Sequence, residues 1–236
     1  MSDKKSNANG VYPQEAVKSD IVKNEEFIGE HLETLREFAE RGDVSVMYLL
    51  GCYYDGGVCE GGGNDPDEAV KWYKKASRLG FASAMNNLGA MYLRGHDVRK
   101  SAAKASKWFR KAAELGNVVA QKNLAEMYRC GDGVRVDSAE AAKWYRKAAE
   151  QGYAGAQYDL GELYASGNGV AKDLHAAEMW YRKAAEQGYA DAQYKLAYMY
   201  DFGLGVRASV AEATKWLRRA AEQGHAEARR TLASSM

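Results

Sequence analysis

Residues 152–188 read GYAGAQYDLGELYASGNGVAKDLHAAEMWYRKAAEQG, and the spacing inside this stretch decides the fold. Two helical patterns flank a glycine-rich turn. After Gly152, the small or apolar residues Ala156, Leu160 and Tyr164 recur at four-residue intervals, the core stripe of an amphipathic helix. The turn Gly167-Asn168-Gly169-Val170 follows, its glycines open to positive φ. Asp173 then starts a second helix as a side-chain cap, and Gly188 closes it. In the middle of that helix stands Trp180, a side chain whose burial stabilises by roughly 4–6 kcal/mol gross.

Working outward, the same unit recurs along the chain. All five tryptophans, Trp72, Trp108, Trp144, Trp180 and Trp216, lie 36 residues apart, and a glycine follows each by eight residues. A fixed period in this range means that one supersecondary unit is copied and stacked, each copy touching mainly its neighbours. The residue after the core leucine is always small (Gly51, Gly89, Ala125, Gly161, Ala197, Ala233), which predicts close approach of a neighbouring helix. Helix caps are expected at Asp65, Ser101, Asp137, Asp173 and Ser209, with Pro66 in a first turn. Glu68, Glu140 and Glu212, three places after a cap, predict capping boxes. Arg110/Glu114, Arg146/Glu150, Arg182/Glu186 and Arg218/Glu222 predict ion pairs along an outer face.

Composition excludes several function classes. Lys plus Arg number 33 against 32 Asp plus Glu, so no field draws nucleic acid or an anionic membrane to the chain. No apolar run reaches the roughly 18 residues of a membrane span, and none resembles a signal-peptide core. The expected localisation is therefore cytoplasmic, or periplasmic or secreted if a leader was removed. Cys52, Cys59 and Cys130 occupy no repeated position, which argues against a disulfide framework, although Cys52 and Cys59 could pair in an oxidising compartment. His31, His96, His175 and His225 show no metal-ligand spacing, so neither metal nor cofactor is expected. The paired glycines follow helices rather than strands and lack a Gly-Lys-Ser/Thr ending, which excludes a phosphate loop. Ser101-Ala-Ala-Lys104 matches one signature of penicillin-recognising enzymes, but no Ser-Asp-Asn or Lys-Thr-Gly follows and Ser101 already has a capping role. The expectation is a protein without catalytic activity.

The patterns Ala-x-Ala-x-x-x-Leu-Gly-x-x-Tyr-x-x-Gly-x-Gly-Val-x-x-Asp and Ala-x-x-Trp-Tyr-x-Lys-Ala-Ala-Glu-Gln-Gly are hallmarks of the Sel-1-like repeat (SLR) family, a relative of tetratricopeptide repeats, and the chain resembles it over residues 42–236. The resemblance implies an all-α fold, a right-handed α/α superhelical solenoid of five repeats and a C-terminal half-repeat, whose first helices line a concave groove. It implies the roles of adaptors: assembly scaffolds, signalling regulators, host-interaction factors and immunity proteins. The chain lacks the repeated cysteine pair of the secreted branch, so those disulfides do not carry over. Its first unit, Gly42 to Gly80, has an excess at Cys59–Asn64 that predicts an extended loop, and His96-Asp97 replaces the second turn glycine of the next copy. Residues 25–41 read as an N-terminal capping helix through Phe27, Ile28, Leu32, Leu35 and Phe38, and residues 1–24 as a disordered tail.

Repeated positions carry the fold, so function is expected where copies differ. On the first helices, the face opposite the core stripe presents Tyr48, Cys52 and Asp55; Asn86, Asn87, Ala90, Leu93 and Arg94; Lys122, Glu126 and Arg129; Tyr158 and Glu162; and Tyr194, Tyr198, Asp201 and Phe202. Aromatics interleaved with Arg and Glu are the mix of interface hot spots, Tyr194, Tyr198 and Phe202 foremost. The competing reading is that Tyr194 and Tyr198 pack on the adjacent repeat or lie idle at the surface. The expected partner is a protein or peptide held in the groove by an adaptor. An immunity protein neutralising a secreted toxin is the alternative, and envelope carbohydrate or peptidoglycan binding the third reading. The sequence fixes no oligomeric state.

Overall fold

The computed structural model describes residues 31–55, 63–95 and 98–234, and among them it contains twelve α-helices and no strand. In chain order they are α1 (Leu32–Glu40), α2 (Val44–Tyr54), α3 (Pro66–Arg78), α4 (Ala82–Arg94), α5 (Ala102–Glu114), α6 (Val118–Cys130), α7 (Ser138–Glu150), α8 (Ala154–Ser166), α9 (Leu174–Glu186), α10 (Ala190–Phe202), α11 (Val210–Glu222) and α12 (Ala226–Ser234). Even-numbered helices lead each repeat and odd-numbered ones trail it. The helices group into two compact units divided between Lys100 and Ser101, α1–α4 and α5–α12. α1 lies within residues 25–41, where a capping helix is expected. Residues 1–24, residues 25–30, most of the 59–64 loop and the His96-Asp97 turn lie outside the described residues.

The trailing helices start where the caps require. Asp65, Ser101, Asp137, Asp173 and Ser209 each accept a backbone amide of the first turn. The capping boxes do not close, however. The amides of Asp65, Asp137 and Ser209 donate to the carbonyls of Tyr54, Tyr128 and Tyr200 in the preceding helix. Glu68, Glu140 and Glu212 turn outward to Lys71, Lys143 and Lys215. The cap thus ties the leading helix to the trailing helix, and the glutamate pairs with a lysine of its own helix.

The core follows the repeat. Ala84, Leu88, Ala120, Leu124, Ala156, Leu160, Ala192 and Leu196 are fully buried, while Tyr128, Tyr164 and Tyr200 at the end of the stripe are half-buried. Trp72, Trp144, Trp180 and Trp216 are buried and Trp108 half-buried. A basic side chain three residues on covers each indole, Lys147 standing 4.0 Å above Trp144 and Lys183 4.1 Å above Trp180. The expected outer-face ion pairs are corrected here: Arg146 donates to the Tyr164 hydroxyl at 2.6 Å, Arg110 and Arg182 to Tyr128 and Tyr200, and Arg182 pairs with Glu178 rather than Glu186. A guanidinium gains more from a half-buried phenol and carboxylate than from an exposed glutamate one turn away.

Close approach explains the small residue after the core leucine. A Cβ on Gly161 would stand 2.7 Å from the Tyr181 ring, and one on Gly51 2.4 Å from the Tyr73 ring. A polar ladder then fixes one repeat on the next. Gln157 is buried, donates to the Ala149 carbonyl at 3.1 Å and accepts from Gln187 at 2.7 Å. Gln121 and Gln193 do the same, with Ala113 and Gln151 and with Ala185 and Gln223. Each buried amide is satisfied from both sides, as burial demands.

Candidate protein-binding face

In the second unit the leading helices α6, α8 and α10 carry one continuous set of variable positions. Trailing-helix tyrosines reach this face from below: the Tyr145 hydroxyl donates to Glu126 and the Tyr181 hydroxyl to Glu162. Burial pushes both phenols up, so they remain donors. Glu126 also accepts from Arg129 Nε at 3.1 Å, and chiefly this partner holds its carboxyl down to about 2. The same bond raises the Arg129 guanidinium. Glu162 pairs with Lys195 of the next leading helix at 3.0 Å. Asp159, one turn before Glu162, is pushed up to about 6, mainly by burial, with Lys122 opposing and Glu126 adding to the rise. Asp159 belongs to this face, and the sequence reading missed it: its position holds Asn87, Asn123 and Lys195 in other copies, a variability that was legible.

The aromatic positions separate into two roles. Tyr158 packs its ring 5.3 Å from Tyr189 and 5.8 Å from Tyr181, and Tyr194 stacks on His225 at 4.6 Å. Both therefore sit in the joint with the following repeat. Tyr48 holds the same place in the first unit, 5.0 Å from Phe81. Tyr198 and Phe202 stay outside, 48% and 61% exposed with rings 4.6 Å apart, beside the exposed Asp201.

Tyr194, Tyr198, Asp201 and Phe202 also form one wall of a cavity of about 850 Å³ between α10, α11 and α12. Val210, Ala213, Leu217 and Arg218 of α11 and Leu232 of α12 also line it. Sequence reasoning looked only at leading helices and so missed α11. A signal was present, because Leu217 stands where Tyr73, Tyr145 and Tyr181 follow a tryptophan.

The first unit fills the equivalent face differently. The Tyr73 hydroxyl accepts from Asn87 at 3.0 Å and lies 3.4 Å from the buried Asp55 carboxylate and 3.5 Å from the Cys52 thiol. Arg94 donates to Asp55 at 3.4 Å, and Asn86 to Asn87 at 3.3 Å. Burial raises the Cys52 thiol, which is free, as is the exposed Cys130; Cys59 lies outside the described residues. Leu93 is half-buried. Among the described residues no group of His, Cys, Asp and Glu could hold a metal ion, and no helix is long and apolar enough to cross a membrane.

These helix pairs, with their caps, turns and tryptophans in register, meet a family model described as the Sel1 repeat at residues 44–81, 82–117, 118–153, 154–189 and 190–225. The chain belongs to the Sel1 repeat family. Sel1 repeat proteins are generally protein-interaction modules built on a non-catalytic scaffold. Among solved structures, a protective antigen of uropathogenic Escherichia coli displaying an SLR fold is 40% identical, with 82% of this chain and 41% of that chain covered and a TM-score of 0.77. A Sel1 repeat protein from Oxalobacter formigenes is 34% identical, with 89% and 60% covered and a TM-score of 0.80. The chain thus spans less than two thirds of the length of either. No curated protein sequence matches it.

Proposed function

We propose that this Sel1 repeat protein is a non-catalytic adaptor that holds a protein or peptide partner on its leading-helix face, centred on α6, α8 and α10. The observation that carries the reading is the exposed pair Tyr198 and Phe202, set beside Asp201 and in line with the charged Glu126–Arg129 and Glu162–Lys195 pairs. Exposed large aromatics supply affinity, and charged pairs on the same face supply orientation.

The test spares Tyr158 and Tyr194, because both hold repeats together. Affinity capture from the native cell with mass spectrometry compares wild type with Arg129→Ala/Tyr198→Ala/Phe202→Ala. All three side chains are exposed, so helicity and melting temperature are expected to hold while a specific protein disappears from the captured set. Identical capture by both forms rules out this face.

A further inference from the structure

Most trailing helices balance charge on their outer side in one way, and α5 departs from it. In α3, α7 and α11 a first-turn glutamate pairs with the lysine one turn on: Glu68 with Lys71 at 2.6 Å, Glu140 with Lys143, and Glu212 with Lys215 at 3.2 Å. The equivalent positions of α5 are Lys104 and Lys107, so a second cation replaces the carboxylate. α5 holds Lys104, Lys107, Arg110 and Lys111 against the single acid Glu114, where α7 and α11 carry three cations against two acids and α9 two against two. At about 100° per residue, Lys104, Lys107 and Lys111 share the side of α5 opposite its buried Ala105, Phe109 and Ala112, and all three are exposed. Lys111 stands 4.8 Å from the centre of the half-buried Trp108 ring, and among the described residues no ion pair engages Lys107 or Lys111. A carboxylate does reach the position of Lys111 in the first unit: Lys75, 4.3 Å from the Trp72 ring, pairs with Glu40 of α1 at 2.7 Å.

We propose that this strip of α5 docks an acidic segment of a partner protein, whose carboxylates take on Lys107 and Lys111 the places that Glu68 takes on Lys71 and Glu40 on Lys75. Charge complementarity names the occupant. Lys104 and Lys111 stand about 10 Å apart along the axis, and alternate side chains of an extended chain are about 7 Å apart, so two or three carboxylates of one extended segment fit the strip. A strip this short, on a chain of net charge +1, offers no extended field for a nucleic acid or an anionic membrane. The site belongs to a trailing helix and neither uses nor requires the leading-helix face proposed above.

The experiment titrates a synthetic peptide alternating glutamate and serine into isotopically labelled full-length protein and follows amide and indole shifts by NMR. Saturable shifts at Lys107, Lys111 and the Trp108 indole are expected, and none with a peptide alternating glutamine and serine. Lys107→Gln/Lys111→Gln should weaken binding by about fivefold, and Lys107→Arg/Lys111→Arg should retain it. Lys143→Gln/Lys147→Gln, which removes the same charge from α7, should leave it unchanged. The glutamine peptide keeps the test intact if a variant unfolds. Absence of shifts at these residues, equal binding of the glutamine peptide, or equal weakening by the α5 and α7 pairs overturns the proposal. Tighter binding of a single-stranded oligonucleotide or of phosphatidylglycerol vesicles through the same lysines overturns it as well.

Discussion

The two units place the same positions of the repeat on the same helix face and use them oppositely. In the first, Asp55, Tyr73, Asn87 and Arg94 hydrogen-bond to one another within the unit. In the second, the equivalent tyrosines donate to Glu126 and Glu162, whose second partners, Arg129 and Lys195, extend along the surface, and the face ends in Tyr198 and Phe202. Ten residues after the repeat glycine stand Cys52 and Ala90 in the first unit, and Glu126, Glu162 and Tyr198 in the second. The scaffold fixes where a side chain stands, and its identity decides whether it is consumed internally or offered outward.

What the units share should break both. Trp72→Ala and Trp144→Ala each remove a buried indole and are expected to cost about 3–5 kcal/mol, with Trp108→Ala costing less because Trp108 is only half-buried. Chemical denaturation of the three variants checks this order. The units differ next in what joins their repeats. Gln157→Ala strands the Ala149 carbonyl and the Gln187 amide, and about 2 kcal/mol should be lost in the same measurement. The first unit has the apolar Met47 and Leu79 at those places, so Met47→Leu should change stability by under about 1 kcal/mol.

The carboxylates sharpen the contrast through pH. Asp159 titrates near 6 when folded against an ordinary 3.8, so the folded state binds its proton more tightly and stability falls as pH rises between those values. Asp159→Asn should therefore stabilise the protein by about 1 kcal/mol at pH 7 and leave it unchanged near pH 3.5. Glu126 has the opposite sign. Its folded value of about 2 lies below 4.5, so its contribution is present above pH 4.5 and disappears as pH falls toward 2. Glu126→Gln should flatten that acid limb of the melting curve, the smallest of these effects because Glu126 is partly solvated.

The repeat, the helix pairs and the caps were legible because periodic spacing, Asp or Ser before a helix and glycine after it are local signals. The glutamine ladder was not read, although Gln121, Gln157 and Gln193 and their partners Gln151, Gln187 and Gln223 recur with the period, because a polar residue inside a core stripe suggests surface until its partner is placed. The same limit applied to Tyr158 and Tyr194. A helical wheel puts them off the core stripe, but it does not contain Tyr189 or His225 of the following repeat. Tyr198 and Phe202 lie off the same stripe and do stay outward.

The doubly engaged glutamines also set a rule for changing the protein's length. Deleting or duplicating a block of 36 residues returns every amide to an equivalent partner, whereas one residue added or removed inside a helix rotates the rest of that helix by about 100° and leaves a buried amide facing carbon. Changes of length that keep the ladder are therefore whole repeats, or fall in the turns between helices.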